Sequence, residues 1–230
     1  MKKRQIVKLS LTLGLVAVVG IGGTLAALTA TSDSVTNTFA VGKNLTNDDL
    51  KLDEYPLNTD NRTANTSGER VTSLNFTNLM QGDTLAKDPM VQIDKDAAKC
   101  YVFVKVTGLE GLKNHGITVN WNSNWIKYDT NAKSLDTIYY YKTGSDNIVD
   151  PSSLTDTMGN DGFIELPALF TTVSVANNAT LYDTVSGNGV TLPKIVATAC
   201  AVQAQNVKDI EAAYKLLPTD FLKDTQTVTE

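Results

Sequence analysis

The chain has 230 residues, with 20 Lys and Arg against 25 Asp and Glu, one His and two Cys. That length is enough for one large domain with its own core. An acidic excess gives no electrostatic reason to bind nucleic acid or anionic lipid, and one histidine with two isolated cysteines does not make the close-spaced ligand pairs of a zinc site.

The first element is an apolar run over residues 9–21, preceded by Lys2, Lys3, Arg4 and Lys8. A bilayer span needs roughly twenty apolar residues, whereas a signal-peptide core needs about 7 to 15 after a positive n-region. A signal peptidase wants small residues at −1 and −3 of its cut. Cleavage after Ala26 puts Thr24 at −3, whereas cleavage after Ala27 or Ala30 puts Leu25 or Leu28 there. Residues 1–26 are therefore expected to be a signal peptide, with Ala27 the mature N-terminus; the alternative is an uncleaved membrane anchor. Loss of four basic and no acidic residues leaves 16 against 25 and a formal charge of −9 on 204 residues. The chain is then expected to be secreted, at the cell surface or in the extracellular matrix, and to meet the membrane only before cleavage.

Strand signals dominate the mature chain. Val35, Asn37, Phe39 and Val41 fall on one side of a period-2 pattern. Residues 51–70, rich in Asn, Thr and Asp, read as a long loop. Leu74, Phe76 and Leu79 suggest a strand, Gln81-Gly82-Asp83 a turn, and residues 90–93 another strand with Pro89 at its start. The run CYVFVKVTGL, residues 100–109, is β-branched and aromatic and reads as a central strand buried on both faces. Shorter strands of a meander or hairpin are expected between residues 117 and 144, a loop over 150–162, and two short strands over 163–175 broken at Pro167. Residues 190–205 form the second strong strand, with Ile195, Ala197, Ala199 and Ala201 opposed to Val196, Thr198, Cys200 and Val202. Ile210, Ala213, Tyr214 and Leu217 predict a helix over 206–217, ended by Pro218. The tail, 219–230, is polar. The pattern predicts a mainly β chain, a jelly-roll-like β-sandwich with one short C-terminal helix, over residues 27–218.

Cys100 and Cys200 both lie in apolar β runs. An even count outside the cell permits a disulfide, provided the Cα atoms come within about 7 Å; the alternative is two buried free thiols. Motifs for catalysis are missing: there is no H-E-x-x-H, G-x-S-x-G or G-x-x-x-x-G-K. His115 sits between Asn114 and Gly116, in turn company. The acidic run NDDLKLDE, 47–54, lacks EF-hand spacing and reads as a solvated acidic surface. Glycosylation-like triplets at Asn44, Asn61, Asn65, Asn75 and Asn178 are expected by chance in so Asn- and Thr-rich a chain. LPTDF, 217–221, lacks the final glycine and apolar tail of a wall-sorting signal. The chain is expected to be no enzyme and to need no metal or cofactor. Trp121, Trp125 and residues 139–141 offer aromatics for a binding module, or else ordinary packing under a hairpin.

The junction GGTLAALTATSDSVTNTFAVG, 22–42, resembles that of TasA/camelysin-like proteins of Gram-positive bacteria, which are cut by a SipW-type signal peptidase. The similarity continues in NLMQGDTLAKDPMVQI (78–93), in CYVFVKV and in IVATACAVQAQ. The resemblance implies a secreted jelly-roll subunit of extracellular biofilm-matrix fibres. Its partners would be further copies of itself or related matrix subunits, and the freed N-terminal strand of one would complete the sheet of the next. Val35, Phe39 and Val41 are the alternate apolar residues that such a donor needs, and Asn37 interrupts them. The same residues also read as the first strand of the chain's own domain. A monomeric adhesin is the alternative function. The metalloprotease activity ascribed to camelysin-like members finds no matching ligands here.

Overall fold

The computed structural model describes residues 45–154, 157–159, 161–183 and 186–223. The signal segment, its cut between Ala26 and Ala27, the Val35–Asn37–Phe39–Val41 series and the tail beyond residue 223 lie outside them. The described residues belong to a compact unit that begins at Gly42.

Among the described residues ten strands form three antiparallel sheets. β1 (Leu50–Asp53), β3 (Met90–Asp94) and β8 (Phe163–Glu165) make the first, with β3 in the middle. The second runs β10 (Val196–Gln203), β4 (Cys100–Thr107), β7 (Thr137–Tyr141), β6 (Trp125–Lys127). The third runs β2 (Thr84–Ala86), β9 (Phe170–Val175), β5 (Ile117–Trp121). Among the described residues three short α-helices accompany them: α1 (Leu109–Asn114), α2 (Ile210–Tyr214) and α3 (Thr219–Leu222). The chain is therefore mainly β, with sheets packed about a common core in the manner of a β-sandwich.

β4 explains the layering. Its side chains alternate between two faces, and both are apolar. Cys100, Val102, Val104 and Val106 enter the main core, where Val91 and Ile93 of β3, Leu85 of β2 and Phe170 and Val173 of β9 also meet. Tyr101 and Phe103 point the other way, into a second cluster with Ile138, Ala213, Leu217 and Phe221. The same alternation splits β10. Ala197, Ala199 and Ala201 pack on the main core, whereas Cys200 and Val202 pack on the second cluster.

Several expectations are corrected. No strand forms at Leu74, Phe76 and Leu79; Phe76 and Leu79 still pack against the main core from irregular backbone. Arg62 accounts for much of this. Its guanidinium donates to the Asn78 carbonyl at 2.8 Å and to Asp83 Oδ2 at 2.9 Å, so local backbone is satisfied by a side chain in place of a ladder. The loop expected over 51–70 gives its first residues to β1, which pairs with β3. Helix α2 is shorter than 206–217. Asn206 has φ 63°, outside helical space, and Asp209 is the N-cap, accepting from the Ala212 N–H at 2.9 Å. The tail is not wholly loose polar chain: α3 carries Phe221 into the second cluster, 7% exposed. Helix α1, unexpected from the sequence, starts after Gly108 (φ 89°). A Cβ at Gly108 would lie 2.0 Å from the Lys194 carbonyl oxygen, so glycine there lets the chain before β10 close against the start of α1. Finally, the expected meander is divided. β6 and β7 form a hairpin in the second sheet, while β5 joins the third.

Candidate functional site

Within the described sheets β10 is an edge strand. Among the described residues it pairs with β4 alone, along its full length, and β1 lies beside its other edge without pairing. Its sequence, VATACAVQ, contains no charge and no proline. Natural edges are usually blunted by charges, prolines, bulges or covering loops, and a long uncharged edge is a template for pairing. Val196 at its start is 52% exposed.

Next to this edge is a groove of about 800 Å³. Its apolar floor comes from the third sheet, through Leu85, Ile117, Val173 and Val175, with Leu112 of α1. Residues 192–197 line it as β10 begins, and residues 72–76 with Leu79 line it from the irregular segment. The floor follows from register: Leu85 faces Val173, and Val175 faces Ile117, so alternate residues of three strands present one continuous hydrocarbon surface.

One charged pair interrupts that surface. Lys87 Nζ donates to both carboxylate oxygens of Glu54 at 2.9 Å. Their side chains are only 12% and 6% exposed. Burial pushes the Glu54 carboxyl above its ordinary range, and the adjacent Lys87 ammonium only partly opposes it. Asp88, also raised chiefly by burial, accepts from the Tyr55 N–H at 3.1 Å. Arg70 bonds Asp53 and lies over the Tyr55 ring, 4.3 Å from its centroid. A smaller hollow of about 70 Å³ abuts the groove here, lined by Leu52, Pro89 and Ile195, and the Glu54–Lys87 pair lines both spaces. The arrangement offers hydrocarbon, a strand that pairs on one side alone among the described residues, and one neutralised ion pair. Such surroundings suit an extended apolar segment.

The acidic run at 47–54 is thus not simply a solvated surface. Asp49 is 2% exposed and accepts from the Thr46 N–H at 2.7 Å and its hydroxyl at 2.9 Å, while Glu54 is 4% exposed in its pair with Lys87. The candidate disulfide is not formed: Cys100 and Cys200 are free thiols. They sit on neighbouring strands, but Cys100 faces Gln203 and Cys200 faces Phe103. Cross-strand partners share a face and the period is two, so the two sulfurs lie on opposite faces of the sheet. Burial pushes the Cys100 thiol up to about 12.

The aromatics take the packing role. Trp125 is buried and its Nε1–H donates to the Pro167 carbonyl at 2.8 Å. Tyr139 is buried, donates to the Leu135 carbonyl at 3.0 Å, and stacks on Trp121 at 4.2 Å between centroids. His115 lies in the turn after α1, its Nδ1 3.1 Å from the Thr180 carbonyl oxygen. Among the described residues no group of three or more His, Cys, Asp or Glu side chains is placed to hold a metal, and no helix is long and apolar enough to cross a membrane.

Glu54 and Lys87 are not recognisable as a site from sequence. Lys87-Asp88-Pro89 is visible as a motif, but the partner of Lys87 is 33 residues away in a polar stretch. Comparison with known proteins returns no significant match to a family model, a curated protein or a solved structure.

Proposed function

We propose that the mature chain is a secreted, jelly-roll-like structural subunit, or an accessory component, of extracellular biofilm-matrix fibres, and that copies join by N-terminal strand addition. The observation that carries this reading is the uncharged edge of β10 beside an apolar groove. Strand addition needs both: main-chain donors and acceptors to give affinity, and pockets to take alternate side chains. The segment 35–41 has the matching alternation, and the resemblance of residues 22–42 to a SipW-type junction supplies a way to free it. The partners are then further copies of the chain or related matrix subunits, with a SipW-type signal peptidase acting once during export.

The test compares the mature chain beginning at Ala27 with the same chain carrying Phe39→Asp. A charge at the centre of the inserted face opposes burial by several kcal/mol. Light scattering and negative-stain microscopy should find fibres from the first and folded monomers from the second. Folded monomers from both would leave the edge without this partner and the reading without support.

A further inference from the structure

We propose that Lys87 and Glu54 join covalently within one copy, Lys87 Nζ condensing with the Glu54 carboxyl to an amide. Glu54 directly follows β1 and Lys87 directly follows β2, so the bond staples the first sheet to the third. Nζ lies 2.9 Å from each Glu54 oxygen. Equal distances to the two oxygens put Nζ within about 3.5 Å of the carboxyl carbon, the range of a near-attack arrangement. Both backbones are pinned. Glu54 exchanges N–H···O bonds with Val71 at 2.9 and 2.8 Å, and the Lys87 N–H donates to the Thr171 carbonyl at 3.2 Å. Two long side chains are thus held facing one another by fixed main chain.

Burial supplies the driving force. Two charges this deep, on side chains 12% and 6% exposed, carry a desolvation penalty that their attraction repays poorly. Moving one proton along the hydrogen bond, from Nζ to a Glu54 oxygen, leaves a neutral amine against a neutral carboxylic acid. A dry site favours that form. Burial already holds the Glu54 carboxyl above its ordinary range, and the Asp88 charge adds to this against Lys87 and Arg70. The amine lone pair then forms the Nζ–Cδ bond, and the Cδ–OH bond breaks. The leaving hydroxide takes a second proton from Nζ. One ammonium and one carboxylate become one amide and one water, with no oxidant or co-reactant. The pair lines the small hollow, whose walls also carry Asp53 and Thr72, and that hollow shares walls with the larger groove. A space of about 70 Å³ with polar walls accepts the released water. The amide removes both buried charges and closes a loop between residues 33 apart in sequence. Such a closure constrains the unfolded chain as a disulfide does, and both cysteines of this chain are free.

The test is the mass of the mature chain beginning at Ala27, kept folded for days and then denatured. The expected mass falls short of the sequence mass by one water. Trypsin should then leave residues 52–62 and 71–95 as one branched peptide, uncut after Lys87, whose fragments place the amide between Lys87 and Glu54. Lys87→Arg keeps a cation beside Glu54 without a condensing amine, and should fold and show the full mass. If that variant does not fold, the branched peptide of the unsubstituted chain decides alone. A folded, unsubstituted chain of full mass, releasing a peptide that ends at Lys87, would overturn the amide and leave the pair ionic. A water lost from either peptide singly, without the branch, would overturn it equally. The mass is read on monomers and fibres alike, so this inference and strand addition fail separately.

Discussion

Two apolar surfaces flank β10, and the chain treats them differently. On the outer face of the second sheet, Tyr101, Phe103 and Ile138 are covered by the chain's own C-terminal segment, through Ala213, Leu217 and Phe221. On the other side, Leu85, Ile117, Val173 and Val175 are buried in the main core, and a groove above them is rimmed by residues 72–76 and 192–197. The covered face shows that this sequence can close a hydrocarbon surface with a short helical strap. The groove adjoins a strand with no charge in its sequence. The difference lies in the rim: both floors hold the domain together, and only half-buried residues such as Ile195 and Ala197 remain at the groove's margin.

The largest effect is expected on the closed side. Phe103→Ala should cost roughly 4 kcal/mol, the loss for a fully buried ring and its cavity, measured by urea unfolding. Fibres should still form under conditions where the variant stays folded. Next comes the charged pair: Lys87→Met should cost roughly 3 kcal/mol by leaving Glu54 buried and unpaired. The double variant with Glu54→Gln should cost less than the sum of the singles. Equal and additive losses would mean that the pair is not coupled.

Ile195→Asp sharpens the comparison from the open side. Ile195 lines the groove and is only half-buried, so stability should change by no more than about 1 kcal/mol, while fibre yield should fall to background. A large loss of stability with assembly intact would reverse the roles assigned to the two surfaces. The smallest effect expected is none. Reduction with dithiothreitol should leave the melting temperature unchanged, because Cys100 and Cys200 are unbonded. A thiol reagent should modify half-buried Cys200 before buried Cys100.

The strands are legible where one segment carries its own periodicity. β4 and β10 show both faces in their sequences, and Pro89 and Pro167 mark strand boundaries where the chain changes course. What local pattern does not show is partnership. β8 and β9 flank Pro167 closely yet join different sheets, and β5 leaves the hairpin that β6 and β7 form. The groove is harder still, because residues near 54, 72–79, 85–87, 112–117, 173–175 and 192–197 build it together. None of these stretches is distinctive alone. The cysteines mislead for a related reason. Both belong to adjoining strands, but a register offset of three residues, visible only once the strands pair, puts them on opposite faces. The C-terminal helix reads too long because Asn206 and Pro218 act as backbone punctuation: the first sits at positive φ and the second starts a separate turn of helix.

The central claim is that one copy's residues 35–41 fill the next copy's groove. Electron cryo-microscopy of fibres grown from the mature chain tests it most directly. The account predicts an extended segment from a neighbouring subunit, hydrogen-bonded along the edge of β10 that does not face β4. Fibres joined through another surface, with the groove empty or filled by the subunit's own N-terminal segment, would contradict it.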